Sequence, residues 1–138
     1  AKAMKARIIL DESLLSKDQL PLYEDSSLEW IANVRVSKSG GILRSIELAR
    51  AAQAQGMDVI LGAHVGETSL LSRAALTVGQ ALKQPPLARE GAFGRILVTR
   101  DISNPSLRFG LGGIIRTRRW NFAEAPGLGL SIHPKGIL

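Results

Sequence analysis

At 138 residues the chain is long enough for one domain with its own core. A hydrophobic share of 45% belongs to a globular protein rather than a disordered one. The absence of cysteine excludes a disulfide framework and a thiolate metal site, and agrees with a cytoplasmic, reducing setting. The formal charge of +6 suits an anionic partner, but no apolar run approaches the roughly 20 residues that span a bilayer. No membrane association is therefore expected. The basic amino end reaches Asp11 after only Ile8, Ile9 and Leu10, too short a run for a signal-peptide core.

The first strand candidate is Arg7-Ile8-Ile9-Leu10, ending on Asp11-Glu12-Ser13. Ser16-Lys17-Asp18-Gln19 has the form of a helix start, with Ser16 as cap and Gln19 three residues on, and Pro21 limits the regularity of that helix. Residues 30–36 read as the next strand, broken by Gly40-Gly41. Residues 42–55 carry Leu43, Ile46, Leu48, Ala49 and Ala52 as an apolar helical stripe, with Gly56 as the stop. Val59-Ile60-Leu61 is a third strand and residues 62–66 a loop. Residues 68–82 form a second helix, with Leu71, Ala74, Ala75, Val78 and Leu82 on one side, ended by Pro85-Pro86. Alternation of short apolar strands with helices is the pattern of a parallel α/β sheet or barrel.

The later part changes character. Residues 95–98 look like a strand, residues 107–118 like a glycine-interrupted strand pair, and residues 127–132 like a final extended piece. Arg116-Thr117-Arg118-Arg119-Trp120 is the sharpest basic cluster. Without a recognition helix or a row of stacking aromatics, it reads as a solvated hairpin rather than a nucleic-acid surface.

In parallel α/β folds the chemistry sits where strands end, which brings Asp11, Arg35, Lys38 and Glu67 forward together. Asp11 is placed to ligate a hard cation such as magnesium, or simply to be a solvated acid. Lys38, before Gly40-Gly41, suits an anion near the following helix or a plain surface position. Alternation along a strand puts Lys38 on the face opposite Arg35, so it reaches the same site only if the strand end bends. Glu67 suits the positive amino end of its helix. His64, in a loop of small residues, is a candidate general base or metal ligand. The glycine pairs near Gly112 and Gly129 do not lie between a strand and a helix and fail as phosphate loops.

The order of motifs resembles the enolase superfamily, in its muconate-lactonizing enzyme and mandelate racemase branch. The residues that carry the resemblance are Leu10-Asp11-Glu12-Ser13 and Asn33-Val34-Arg35-Val36-Ser37-Lys38-Ser39-Gly40-Gly41-Ile42, then residues 62–68, Glu90-Gly91-Ala92-Phe93-Gly94 and Pro126-Gly127-Leu128-Gly129-Leu130. The resemblance implies the carboxy-terminal part, about four βα units, of a TIM-type (β/α) barrel. Residues 1–98 are then the partial barrel and residues 99–138 an irregular, β-rich tail packing on the barrel or cap. It also implies a lyase or isomerase that abstracts a proton α to a carboxylate, with Mg2+ held by strand-end acids. Asp11 matches one of those acids.

Arg35 stands where the family has an acid/base lysine. A guanidinium stays protonated and is a poor base, so Arg35 is better suited to clamping a carboxylate or stabilising an enolate. Lys38 and His64 are the other catalytic candidates, with His64 displaced by one residue from the racemase pattern. Glu67 and Phe93 are expected at the substrate. The paired acids of dipeptide epimerases are replaced by Gly91-Ala92-Phe93, which disfavours that reaction. The expected partner is a small carboxylate substrate. Half a barrel exposes sheet edges, so self-association is expected, and the isolated chain is expected to bind magnesium weakly and to be inactive. The alternative is a non-catalytic binding or assembly module.

Overall fold

A computed structural model describes residues 6–24, 28–91, 97–98, 100–115, 117, 122 and 124–133. Strands β1 (Ile8–Leu10), β2 (Trp30–Val34), β3 (Asp58–Leu61) and β4 (Ala88–Arg89) form one sheet in chain order, every neighbouring pair parallel. A 3₁₀ helix, Lys17–Tyr23, follows β1; helix α1 (Ile42–Ala54) follows β2; helix α2 (Ser69–Gln80) follows β3. This is the α/β pattern expected of a portion of a (β/α) barrel.

The chain divides into two compact units. The first comprises residues 1–62 and 75–90, the second residues 63–74 and 91–138. In the first, β2 is buried on both faces, from Ile31 to Val34, as a parallel strand covered on each side should be. The inward stripe of α1 is Ser45, Leu48, Ala49 and Ala52. Leu43, assigned to that stripe from the sequence, is 76% exposed. Counting back three from Leu48 reaches Ser45, so a 3.6-residue period carries Leu43 out to solvent. At the 3₁₀ helix, Gln19 Oε1 accepts the Ser16 N–H at 3.1 Å, the reciprocal arm of the cap read from the sequence.

In the second unit the regular pairing is short. Strands β5 (Ser103–Asn104) and β6 (Ser131–Ile132) pair antiparallel, so only the end of the extended piece at 127–132 is a strand. The strand pair expected at 107–118 does not form among the described residues. Gly112 and Gly113 take φ of +72° and +73° within a short 3₁₀ turn, where the chain reverses instead of extending. Leu97 and Val98 are not in a strand, and Arg95 and Ile96 lie outside the described residues.

This unit is organised by polar groups that the sequence pattern does not single out. The Asp101 carboxylate accepts the Ser69 N–H at 3.2 Å, the Ser103 N–H at 3.1 Å, and the hydroxyls of Ser69, Ser103 and Ser106. Ser69 is the first residue of α2, so Asp101 satisfies an otherwise orphaned helix donor from 32 residues away. Ser69 Oγ in turn accepts the N–H of buried Leu107 at 2.6 Å. Arg73, 7% exposed, donates from Nε to Leu128 O at 3.0 Å and lies 4.4 Å over the Phe122 ring.

Burial alone would raise the Asp101 carboxyl, but the hydrogen bonds from Ser69 and Ser103 outweigh it and hold it below the usual carboxylate range. A carboxyl lowered in the folded state contributes stability above its unfolded pKa of about 3.9 and loses it as pH falls through the folded value. Asp101→Asn is therefore expected to lower stability to urea by about 2 kcal/mol at pH 7. The gap to the parent should close on acidification below about pH 4. An undiminished gap there would contradict the clamp.

Candidate active site

β1 and β2 lie side by side, with Leu10 opposite Ala32. The residues just beyond their carboxyl ends are therefore neighbours. Asp11 follows β1 and Arg35 follows β2, and Arg35 Nη2 donates to Asp11 Oδ2. Arg35 Nη1 reaches Glu12 Oε1 at 3.3 Å, but the Glu12 side chain is 80% exposed and that contact is a weak rim pair.

Beyond Arg35 the chain turns. The Ser39 N–H donates to Arg35 O and the Gly41 N–H to Val36 O, both at 2.9 Å. The turn swings Lys38 back, so that its Nζ donates to Asp11 Oδ1 at 3.2 Å, to the Asp11 carbonyl and to Asn33 O at 3.0 Å. The bend on which Lys38's place in the site depends is thus present. Alternation holds only inside a strand, and β2 ends at Val34 rather than Val36. The side chains of Lys38, Arg35 and Asp11 are 7%, 14% and 26% exposed. At that burial the three act as one unit.

Space for the unit comes from β3. The Gly62 N–H continues the ladder to Val34 O at 2.9 Å. A Cβ on Gly62 would overlap Asn33 Oδ1 and stand 3.0 Å from Arg35 Cγ. Only glycine lets the Asn33 and Arg35 side chains lie there. Asn33 and Gly62 are the site residues that sequence reasoning passes over. The signal for Asn33 is present, a lone amide in the run Trp30-Ile31-Ala32-Asn33-Val34.

Of the other candidates, His64 and Glu67 lie in the second unit, on the connection between β3 and α2. The Glu67 N–H donates to His64 O at 3.3 Å, with His64 exposed and Glu67 half-buried. Phe93 lies outside the described residues.

A guanidinium and an ammonium around one carboxylate make an electrostatic platform, with the carboxylate oxygens already engaged. The arrangement does not by itself fit magnesium, which takes several oxygen ligands. Both Asp11 oxygens meet a cation, and among the described residues no three Asp, Glu or His side chains gather. Nor is any described helix long and apolar enough to cross a membrane.

Known proteins share this architecture. Residues 1–136 match the sequence model of the family described as enolase C-terminal domain-like. The chain is 31% identical over 130 residues to the L-Lys-D/L-Arg epimerase of Methylococcus capsulatus, covering 94% of this chain and 34% of that one. It is 32% identical over 71 residues to an N-acetyl-D-glutamate racemase of Pseudoalteromonas, covering 51% of this chain and 22% of the relative. In fold it is similar to muconate lactonizing enzyme from Klebsiella pneumoniae, with a TM-score of 0.74 and 24% identity over 94% of this chain and 34% of that chain. It is also similar to the dipeptide epimerase of M. capsulatus solved with Mg and the dipeptide L-Arg-D-Lys, with a TM-score of 0.62 and 26% identity over 75% and 28% of the two chains. The chain thus spans no more than 34% of the length of these relatives. With its parallel βα units and strand-end ion cluster, it belongs to the enolase C-terminal domain-like family.

Proposed function

We propose that this chain forms one side of the active site of a magnesium-dependent lyase or isomerase that abstracts a proton α to the carboxylate of a small substrate. The observation that carries this reading is the gathering of Asp11, Arg35 and Lys38 at the ends of two adjacent parallel strands. The family match and the racemase and epimerase relatives support the reaction class. Magnesium is named in a neighbouring epimerase structure, and it suits a carbanion next to a carboxylate because a cation neutralises the charge that develops there. In this chain Asp11 offers itself as a ligand only together with further carboxylates.

Arg35 is not assigned the role of base. A guanidinium is a poor base, so its place is to hold a substrate carboxylate or a developing enolate by charge-assisted hydrogen bonds. Lys38 is held by acceptors on Asp11 and Asn33, which suits positioning Asp11 more than carrying a proton. A reaction needing one base fits this pairing better than racemisation with two. Engagement of both Asp11 oxygens by cations favours the second reading, a binding or assembly module without turnover.

Exchange of the α-proton into deuterated water, followed by NMR on N-acyl amino acids and dipeptides, separates the two readings. With the chain carried in a complete barrel, exchange is expected, and Asp11→Asn should abolish it. Arg35→Lys is expected to change the exchange rate by more than about tenfold, the usual scale for an acid/base or oxyanion contact. No exchange with any carboxylate would leave only the binding module, and an unchanged rate would remove Arg35 from the proton transfer.

Two outcomes are expected for the chain alone. Titration calorimetry with magnesium should give only weak binding; tight one-to-one binding lost in Asp11→Asn would overturn the incomplete site. β1 is an edge strand with Ile9 50% exposed, so the chain should elute from a sizing column larger than its 14.8 kDa monomer. A monomer that melts cooperatively would contradict this.

A further inference from the structure

Next to the ion cluster stands a polar atom that the cluster does not use. Asn33 is 4% exposed, and its Oδ1 is buried and meets no hydrogen-bond donor among the described residues. A buried acceptor left unpaired weakens the fold, and an aliphatic side chain of similar size would not. Such a group calls for a physical reason. Its immediate neighbour supplies one.

Gly62 marks where the amide lies. A Cβ on Gly62 would overlap Asn33 Oδ1, and would stand 2.9 Å from Asn33 Cγ and 3.0 Å from Arg35 Cγ. The carboxamide and the Arg35 stem therefore meet over the same glycine. That stem ends in a guanidinium, a fork of several N–H donors. Here the fork is turned to Asp11 Oδ2, with a weaker contact to the exposed Glu12. The bonds between Cγ and the fork rotate, so the donors can change direction while the backbone stays. An oxygen packed beside Cγ is within their sweep.

The burial of the pair gives that oxygen its use. The Arg35 side chain is 14% exposed. A guanidinium so far from water cannot part from its carboxylate and stay unpaired without a large penalty. An acceptor already buried beside its stem removes much of that penalty.

We infer that Asn33 Oδ1 is a second acceptor for the Arg35 guanidinium, taken when Asp11 gives the guanidinium up. Arg35 then has two positions, on the carboxylate beyond β1 and on the amide of β2. Lys38 does not follow, because its Nζ is also held by the carbonyl oxygens of Asp11 and Asn33. Asn33 is in this sense a positioning residue, which acts through Arg35 and not on a substrate. Neither position depends on the reaction proposed above, since both are read from the chain without turnover.

The test is equilibrium urea unfolding of the 138-residue chain, with one substitution made in three backgrounds. In the parent, Asn33→Leu is expected to raise the urea midpoint, because it removes an unpaired oxygen. In Asp11→Ala the same substitution should lower the midpoint, because there the oxygen holds Arg35. Adding Arg35→Met to Asp11→Ala should restore the upward shift. Equal shifts in the first two backgrounds, as when the guanidinium turns to Glu12 instead, would overturn the assignment. So would a loss that persists without Arg35. Should Asp11→Ala fail to fold, Asp11→Asn serves in its place, read by hydrogen exchange at the Arg35 Nε–H. Adding Asn33→Leu should make that exchange about tenfold faster, the scale of a lost charge-assisted contact. Exchange indifferent to Asn33 would exclude the second acceptor.

Discussion

The candidate site depends on the ammonium of Lys38. It is buried to 7% exposure and donates to the Asp11 carbonyl, to Asp11 Oδ1 and to Asn33 O. A buried charge is tolerated only where it is paired and its donors are filled. Lys38 meets that condition by joining the residue after β1 to the body of β2. Backbone and carboxylate of Asp11 are held from the same atom. The tie fixes where Asp11 points, and with it the partner that Arg35 can take.

The parallel sheet makes the tie possible and Gly62 makes room for it. Parallel neighbours end on the same side, so Asp11 and Arg35 need no long loop to meet. Helical turns then lead away from each strand end, and the one after β2 serves two purposes. Its Arg35-to-Ser39 and Val36-to-Gly41 bonds bring Lys38 inward, while Gly41 starts α1 without a side-chain cap. One turn of the chain thus both closes the ion cluster and starts the helix.

Legibility in the sequence follows the range of the forces involved. β2, β3, α1 and α2 are readable because period and burial are local consequences of side-chain direction. Asp11 and Arg35 are readable because strand ends are where such groups collect. Lys38 is readable only on condition of a bend, because alternation stops at the last strand residue, where hydrogen bonds from Ser39 and Gly41 take over. In the second unit, apolar alternation in residues 107–118 suggests strands, yet the organising contact is Asp101 with Ser69, Ser103 and Ser106. A clamp between residues far apart leaves no periodic trace, and so no pattern could reveal it.

The same cluster explains why Asp11 is stable where it stands. A half-buried carboxylate facing no cation would be raised in energy or protonated. Here Arg35 and Lys38 supply the positive charge that a metal would otherwise bring. If Asp11 were to ligate a metal ion as proposed, the Arg35 guanidinium would have to yield, because two cations so close repel each other strongly at low dielectric. Additional carboxylates would reverse the balance by making the total negative charge too large for two side-chain cations. Arg35 would then be released toward whatever anion approaches, while Lys38, anchored by two backbone carbonyls, would stay. The departure from the family's lysine therefore bears on both questions at once. A guanidinium holds Asp11 here, and under the proposed reading the same donors would hold a substrate carboxylate.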